Sequence, residues 1–308
     1  MILVLGSTGF IGRNLVPKLV QKYPGNVRIL VRPNAGSSKR SAASLAALKK
    51  LAGLEIVEGD VLNPASLAKA MKGVETVFDY AQVTANYKNK DNIYWRVNVE
   101  GTKNVVAAAE AAGVKRFILG SGLGTIKGAP GSYMRTRWEA EQTVRNSKLS
   151  WTILQPSILF GRGAEFFEAQ ARIIKMLPLA TVIGNGKIRM QPIYVEDVVA
   201  AAIECINRDD KIGKAVAFGG PATFTYKELI SLIVKNLKKQ RLFLYLPLPL
   251  ARINAALFNV IPEPPLTPAT LELFDFENTT GDDQILEKEF GIKAFSLQEY
   301  LEKNSILG

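Results

Sequence analysis

The turn Gly6-Ser7-Thr8-Gly9-Phe10-Ile11-Gly12 constrains this chain most. It lies between the apolar run Ile2–Leu5 and residues 10–21, whose apolar side chains recur at helical spacing. Each glycine answers a separate need. A tight strand-to-helix turn calls for a residue without Cβ, a backbone approaching a phosphate closely calls for another, and tight packing of helix on strand calls for a third. The helix that follows offers free N–H groups and its positive dipole end to an anion. Strand, turn and helix in that order predict a dinucleotide pyrophosphate site formed by Gly6, Thr8, Gly9, Phe10, Ile11, Gly12 and Arg13.

The first half of the chain keeps this rhythm. Strands are expected at 27–31, 54–57, 74–80, 116–120 and 151–155. Helices are expected at 41–51, from Asn63-Pro64 onward, at about 92–112 with Gly113 as the stop, and at 132–146. Such alternation predicts an α/β fold: a Rossmann-type doubly wound parallel sheet with a smaller, mostly helical C-terminal lobe. Residues 1–160, completed by about 190–218, read as the cofactor domain. Residues 161–189, expected as a helix and a hairpin-like insertion, join 219–308 as a substrate or partner lobe.

The end of the second strand selects the dinucleotide. An acidic residue there would hold the ribose hydroxyls of NAD. This chain has Val31-Arg32-Pro33 instead, with Arg13 directly after the last glycine. Guanidinium groups suit a 2′-phosphate, so Arg13 and Arg32 point to NADPH, while Lys39 and Arg40 read as solvent-facing. Gly59-Asp60-Val61, after the third strand, is placed for the adenine edge. A formal net charge of +11 suits a polyanionic ligand such as NADPH, an acidic partner protein, a nucleic acid or an anionic membrane face, and equally a solvated surface tuned for solubility. The chain has no histidine and one cysteine, Cys205, which excludes a Ser-His-Asp triad, an internal disulfide and most metal sites, so no metal is expected. Ile2–Leu5 reads as a core strand rather than a signal peptide, and the apolar run 242–251 is broken by Pro247 and Pro249. No transmembrane segment is therefore expected, and the expected setting is cytoplasmic or an equivalent reducing compartment, with a place peripheral to a membrane left open.

These residues resemble the short-chain dehydrogenase/reductase superfamily in its extended and atypical branches. Further matches are Gly59-Asp60, Asn98-Val99-Glu100-Gly101-Thr102, Gln155-Pro156-Ser157-Ile158 and Gln191-Pro192-Ile193-Tyr194-Val195-Glu196-Asp197-Val198. Gly219-Gly220-Pro221, Leu246-Pro247-Leu248-Pro249 and Pro264-Pro265-Leu266-Thr267 look most like the branch holding the NAD(P)H-binding accessory subunit of respiratory complex I and its bacterial relatives. The resemblance implies Ala81, Pro156, Ser157 and Ile158 as further cofactor contacts. It also implies a catalytic Tyr with a Lys four positions on and a Ser. Here Tyr133 matches, Arg137 replaces the lysine, and Ser121 matches the serine position loosely.

Two functions follow as expectations. In one, an NADPH-dependent oxidoreductase reduces a carbonyl-type small molecule. Tyr133 is then the general acid, Arg137 its electrostatic and ribose-side partner, and Ser121 a donor to the carbonyl oxygen. In the other, an accessory or assembly subunit of a respiratory or other membrane complex keeps NADPH without turnover, with residues 241–261 resting on a membrane-embedded partner. An epimerase would normally hold NAD, against Arg32. Nucleic acid is not expected, because no basic face with interleaved aromatics stands out.

Overall fold

The computed structural model describes residues 1–36, 38–129, 131–258 and 266–307. Pro264 and Pro265, and residues 259–261 of the apolar stretch, lie outside them. The chain begins β1 (Ile2–Leu5), α1 (Phe10–Lys22), β2 (Val27–Val31), α2 (Lys39–Leu48), β3 (Leu54–Glu58), α3 (Pro64–Ala70) and β4 (Thr76–Asp79). It continues α4 (Thr102–Ala111), β5 (Arg116–Gly120), α5 (Ser132–Arg145), β6 (Trp151–Pro156), β7 (Leu159–Phe160), α6 (Glu165–Met176), β8 (Leu179–Ile183), β9 (Arg189–Met190), β10 (Ile193–Tyr194), α7 (Val195–Glu204) and β11 (Lys214–Phe218). The last elements are β12 (Phe224–Thr225), α8 (Tyr226–Asn236), β13 (Leu242–Leu246), α9 (Leu248–Phe258), α10 (Pro268–Glu272), α11 (Ile285–Phe290) and α12 (Leu297–Lys303).

Seven parallel strands form one sheet in the order β11-β6-β5-β4-β1-β2-β3. The order reverses at β1, so the crevice outside the strand ends lies between β1 and β4. Period-two side-chain alternation divides the sheet between two cores. Ile2 and Val4 pack with Leu15, Leu19, Phe78 and Val198 on the face covered by α1 and α7. Leu3 and Leu5 pack with Leu67, Val105, Phe117 and Val144 on the face covered by α3, α4 and α5. Full burial of side chains such as Phe78 and Phe117 is worth about 1.5–3 kcal/mol each. A third apolar cluster, including Phe160, Phe167, Val182, Tyr226, Ile230, Ala251 and Tyr300, gathers the elements outside the large sheet.

Two local expectations need correction. The helix expected over 92–112 instead opens as a π-helix, Trp95–Gly101, before α4. Asn98 lies on that wide turn and anchors the loop after β4. Its Oδ1 accepts from Val83 N at 2.8 Å, and its Nδ2 donates to the Val83 carbonyl at 3.1 Å. The hairpin expected near 164–190 does not form either. β8 pairs in parallel with β13, and β9 antiparallel with β12, so both find partners beyond residue 219.

β4 ends in a buried carboxylate, Asp79, whose Oδ1 accepts from Ala81 N at 3.1 Å. Burial pushes its pKa up from the ordinary 3.8 to about 6. A raised acid favours the folded state most below its unfolded pKa and loses that contribution as pH rises through the folded value. Wild-type stability should therefore fall by roughly 2–3 kcal/mol from this group between pH 4 and pH 6. Asp79→Asn keeps the acceptor and removes the titration. Thermal unfolding from pH 4 to 7.5 should show a flatter profile, with the variant gaining most at the upper end.

Candidate functional site

β1 reaches the crevice through Gly6, whose φ of +71° is open to glycine. A Cβ there would lie 2.3 Å from the Tyr80 carbonyl oxygen and 2.8 Å from Ala81 N, so the turn is fitted against the end of β4. A Cβ at Gly12 would lie 2.3 Å from the Gly6 carbonyl oxygen, which fixes how closely α1 returns over the turn. Gly9 caps α1 with backbone alone, and no acidic side chain occupies the helix's first turn. The Ser7 hydroxyl is buried without a hydrogen-bond partner among the described residues. Thr8, Phe10 and Ile11 are half-buried around this N-terminus, with Phe10 on the third apolar cluster and Ile11 on the α1–α7 core. A close, uncapped, glycine-lined helix end fits a pyrophosphate.

At the end of β2 the four cations differ. Arg32 and Lys39 are exposed and form no ion pair among the described residues. Arg13 is half-buried. It donates to the carbonyls of Arg162 (3.0 Å) and Gly163 (3.3 Å), and its guanidinium carbon is 5.1 Å from the Phe10 ring centroid. Arg40, expected in solvent, instead pairs with Glu168 and with Glu165 (3.4 Å), because α6 brings both carboxylates across to α2. Asp60 Oδ1 accepts from Leu62 N at 2.9 Å, so its carboxylate shapes its own turn, and Val61 is buried against Gly101.

At the other end of the crevice stand Tyr133 and Arg137, one helical turn apart on α5 and both buried. Arg137 Nη1 donates to Tyr133 Oη at 3.0 Å, and the guanidinium carbon lies 5.6 Å from the phenol centroid. The Tyr94 ring meets Tyr133 edge-on at 5.6 Å. The guanidinium also borders the loop after β5, since a Cβ at Gly122 would lie 3.4 Å from Arg137 Nη2. A guanidinium donating to a phenol oxygen is a charge-assisted hydrogen bond.

The Ser121 hydroxyl donates inward to Glu141 Oε1 at 2.5 Å and lies 3.4 Å from Thr125 Oγ1. Glu141 is fully buried and also accepts from Gln155 Nε2 (2.8 Å) and Arg145 Nη2 (3.1 Å). Ser157 likewise turns inward, to the Gln191 carbonyl. Ile158 N donates to Asn278 Oδ1 at 2.7 Å, and the Pro156 carbonyl accepts from Leu123 N at 2.9 Å. The segment 156–158 thus presents backbone and apolar surface near the β5 loop.

Several residues of the crevice went unseen in the sequence. Both amide atoms of Gln82 and the hydroxyl of Thr84 are buried without partners among the described residues. They follow Asp79 on the loop that Gly6 touches, next to Ala81. A polar run directly after a buried strand was the available signal. Glu272 carries the largest structural surprise. From α10 it accepts the N–H groups of Ser132 (3.0 Å), Tyr133 (3.3 Å) and Met134 (3.0 Å), capping the helix that bears Tyr133. Burial nonetheless raises its pKa. Glu272→Ala should lower stability by about 1–2 kcal/mol. Urea unfolding would measure that loss, and increased amide exchange at the start of α5 would locate it.

A doubly wound parallel sheet with a glycine-lined strand-to-helix turn and a buried Tyr-x-x-x-Arg pair defines a dinucleotide-binding protein of the extended short-chain dehydrogenase/reductase type. The chain belongs to the NAD(P)H-binding family, which it matches over residues 6–208. It is 27% identical over 300 residues to the mitochondrial NADH dehydrogenase [ubiquinone] 1 alpha subcomplex subunit 9 of Arabidopsis thaliana, covering 96% of this chain and 73% of that protein. It is 26% identical over 229 residues to the NAD(P)H azoreductase of Xenophilus azovorans, covering 74% and 71% respectively. In fold it is similar to the UDP-glucuronic acid 4-epimerase of Bacillus cereus, solved with UDP-glucuronic acid and NAD. That match has a TM-score of 0.74 at 18% identity and covers 99% of this chain and 98% of the other.

Proposed function

We propose that this protein binds NADPH in the crevice between β1 and β4 and reduces a carbonyl-type small molecule with Tyr133 as general acid. The observation carrying this reading is the 3.0 Å hydrogen bond from Arg137 to the buried Tyr133 hydroxyl. The bound reduced nicotinamide supplies the hydride. Tyr133 Oη gives its proton to the substrate oxygen, and the Arg137 guanidinium stabilises the phenolate left behind. Gly6, Thr8, Gly9, Phe10, Ile11 and Gly12 would hold the pyrophosphate, with Arg13 beside them. Asp60 and Val61 would border the adenine, and Ala81 with residues 156–158 would line the nicotinamide side. Arg32, charged and without an ion-pair partner among the described residues, supports a 2′-phosphate over a bare hydroxyl. Residues 161–189 and 219–308 then form the substrate or partner lobe.

Tyr133→Phe should lower NADPH oxidation against a carbonyl panel by about a hundredfold or more while leaving the Kd for NADPH unchanged. Arg32→Ala should weaken NADPH about tenfold and spare NADH. Tight NADPH binding with no turnover on any carbonyl would defeat the catalytic part alone.

A second reading rests on a different surface. α9 presents Leu250, Ile253 and Leu257 outward at helical spacing, and Leu242 and Leu244 of β13 are also exposed. Residues 229–262 contain five lysines and arginines and no acid. An outward apolar row with a basic surround suits the flank of a membrane complex, in line with the complex I relative. No helix among the described residues is long and apolar enough to cross a membrane, so the association would be peripheral. The double variant Ile253→Asp, Leu257→Asp should be released from isolated membranes into the wash. Equal retention of variant and wild type would count against this reading.

A further inference from the structure

Two arginines near the expected 2′-phosphate position, Arg13 and Arg40, are already answered by groups from the opposite side of the crevice. Arg40, in the first turn of α2, pairs through Nη2 with Glu168 and through Nη1 with Glu165 at 3.4 Å. Glu168 is mostly buried, with 16% of its side chain exposed, and also holds Arg172 at 2.9 Å. Glu165 is fixed from the β4 loop by Asn86 Nδ2 at 2.6 Å. The Gly163 carbonyl accepts from Arg13 at 3.3 Å and from Arg40 at 3.4 Å, so the two guanidinium groups stand side by side under the start of α6. The start of α6 is thereby tied to the turn after Gly12, to the first turn of α2 and to the loop after β4, three segments that border the dinucleotide crevice.

Electrostatics give these contacts a consequence. A phosphate dianion entering at the end of β2 meets Arg32 freely, but it meets Arg40 only in competition with two carboxylates. Those carboxylates also repel it directly through a partly buried, weakly screened path. A cofactor ending in a ribose hydroxyl carries no such charge and leaves the Arg40 pairs undisturbed.

We propose that Glu165 and Glu168 are specificity-determining residues of the cofactor site, setting the preference between phosphorylated and unphosphorylated dinucleotide through their hold on Arg40. Binding of NADPH moves Arg40 from Glu168 to the 2′-phosphate, whereas binding of NADH does not. This rests on the reading above that the crevice takes a nicotinamide dinucleotide with its 2′ position near β2.

The test is calorimetric titration of NADPH and of NADH into the full chain and its variants. Glu168→Gln should tighten NADPH about fivefold and leave NADH within about twofold, because one repelling and competing charge is gone. Glu165→Gln, which leaves both Arg40 and Arg172 paired with Glu168, should change NADPH in the same direction by less. It also guards against a loss of fold, which melting curves would reveal. Arg40→Gln should weaken NADPH about tenfold with NADH unaffected. If wild type binds both dinucleotides and neither acid variant alters their ratio, or if both affinities move together, the carboxylates only fasten α6 and the inference fails. If wild type binds neither dinucleotide, the underlying cofactor reading fails and the inference with it.

Discussion

The close approach of Gly6 to the Tyr80–Ala81 backbone governs the architecture of the crevice. It brings the end of β1 against the end of β4 at the point where the sheet order reverses, and it sets where α1 begins. The fit then propagates sideways. A Cβ at Gly120 would lie 2.1 Å from Cδ1 of the Tyr80 ring, so β5 also needs a glycine where it meets the same residue. Three neighbouring strands thus end fitted against one residue, β1 against the Tyr80 backbone and β5 against its ring. The polar side chains that follow them, Ser7, Gln82, Thr84 and Ser121, are gathered along one edge.

Carboxylates from distant parts of the chain hold the rest of that edge in place. Glu272 fixes the N-terminus of α5, and with it the start of the turn on which Tyr133 meets Arg137. Glu141, on the buried face of the same helix, accepts a hydrogen bond from Ser121 Oγ and ties the loop after β5 to α5. Glu165 and Glu168 bring α6 to α2. A basic chain has therefore placed carboxylates where they orient groups around the crevice rather than on its open rim.

The large sheet is legible in the sequence because its signals are local. Apolar strands, the Gly6–Gly12 spacing and the Gly113 stop each lie within one short window. The same locality limits the rest. Arg40 reads as a solvent-facing cation because its partners lie about 125 residues further on, and Glu272 caps a helix about 140 residues earlier in the chain. The wide turn at Trp95–Gly101 depends on Asn98 bonding to Val83, a loop contact that helical periodicity does not register. Likewise, β8 and β9 read as a hairpin because adjacency in sequence is the cheapest pairing. Their partners are supplied only after residue 219.

The exchange of lysine for arginine at position 137 bears directly on what the crevice can do. An ammonium group is compact, and its rotating donors can serve a phenol and a ribose hydroxyl at once. The Arg137 guanidinium is planar: one terminal nitrogen is given to Tyr133, the other lies along Gly122, and Nε is buried without a partner among the described residues. Its directions are fixed by the plane, so contact with the phenol dictates where the remaining donors point. The contact between guanidinium and phenol is thus held in a rigid form.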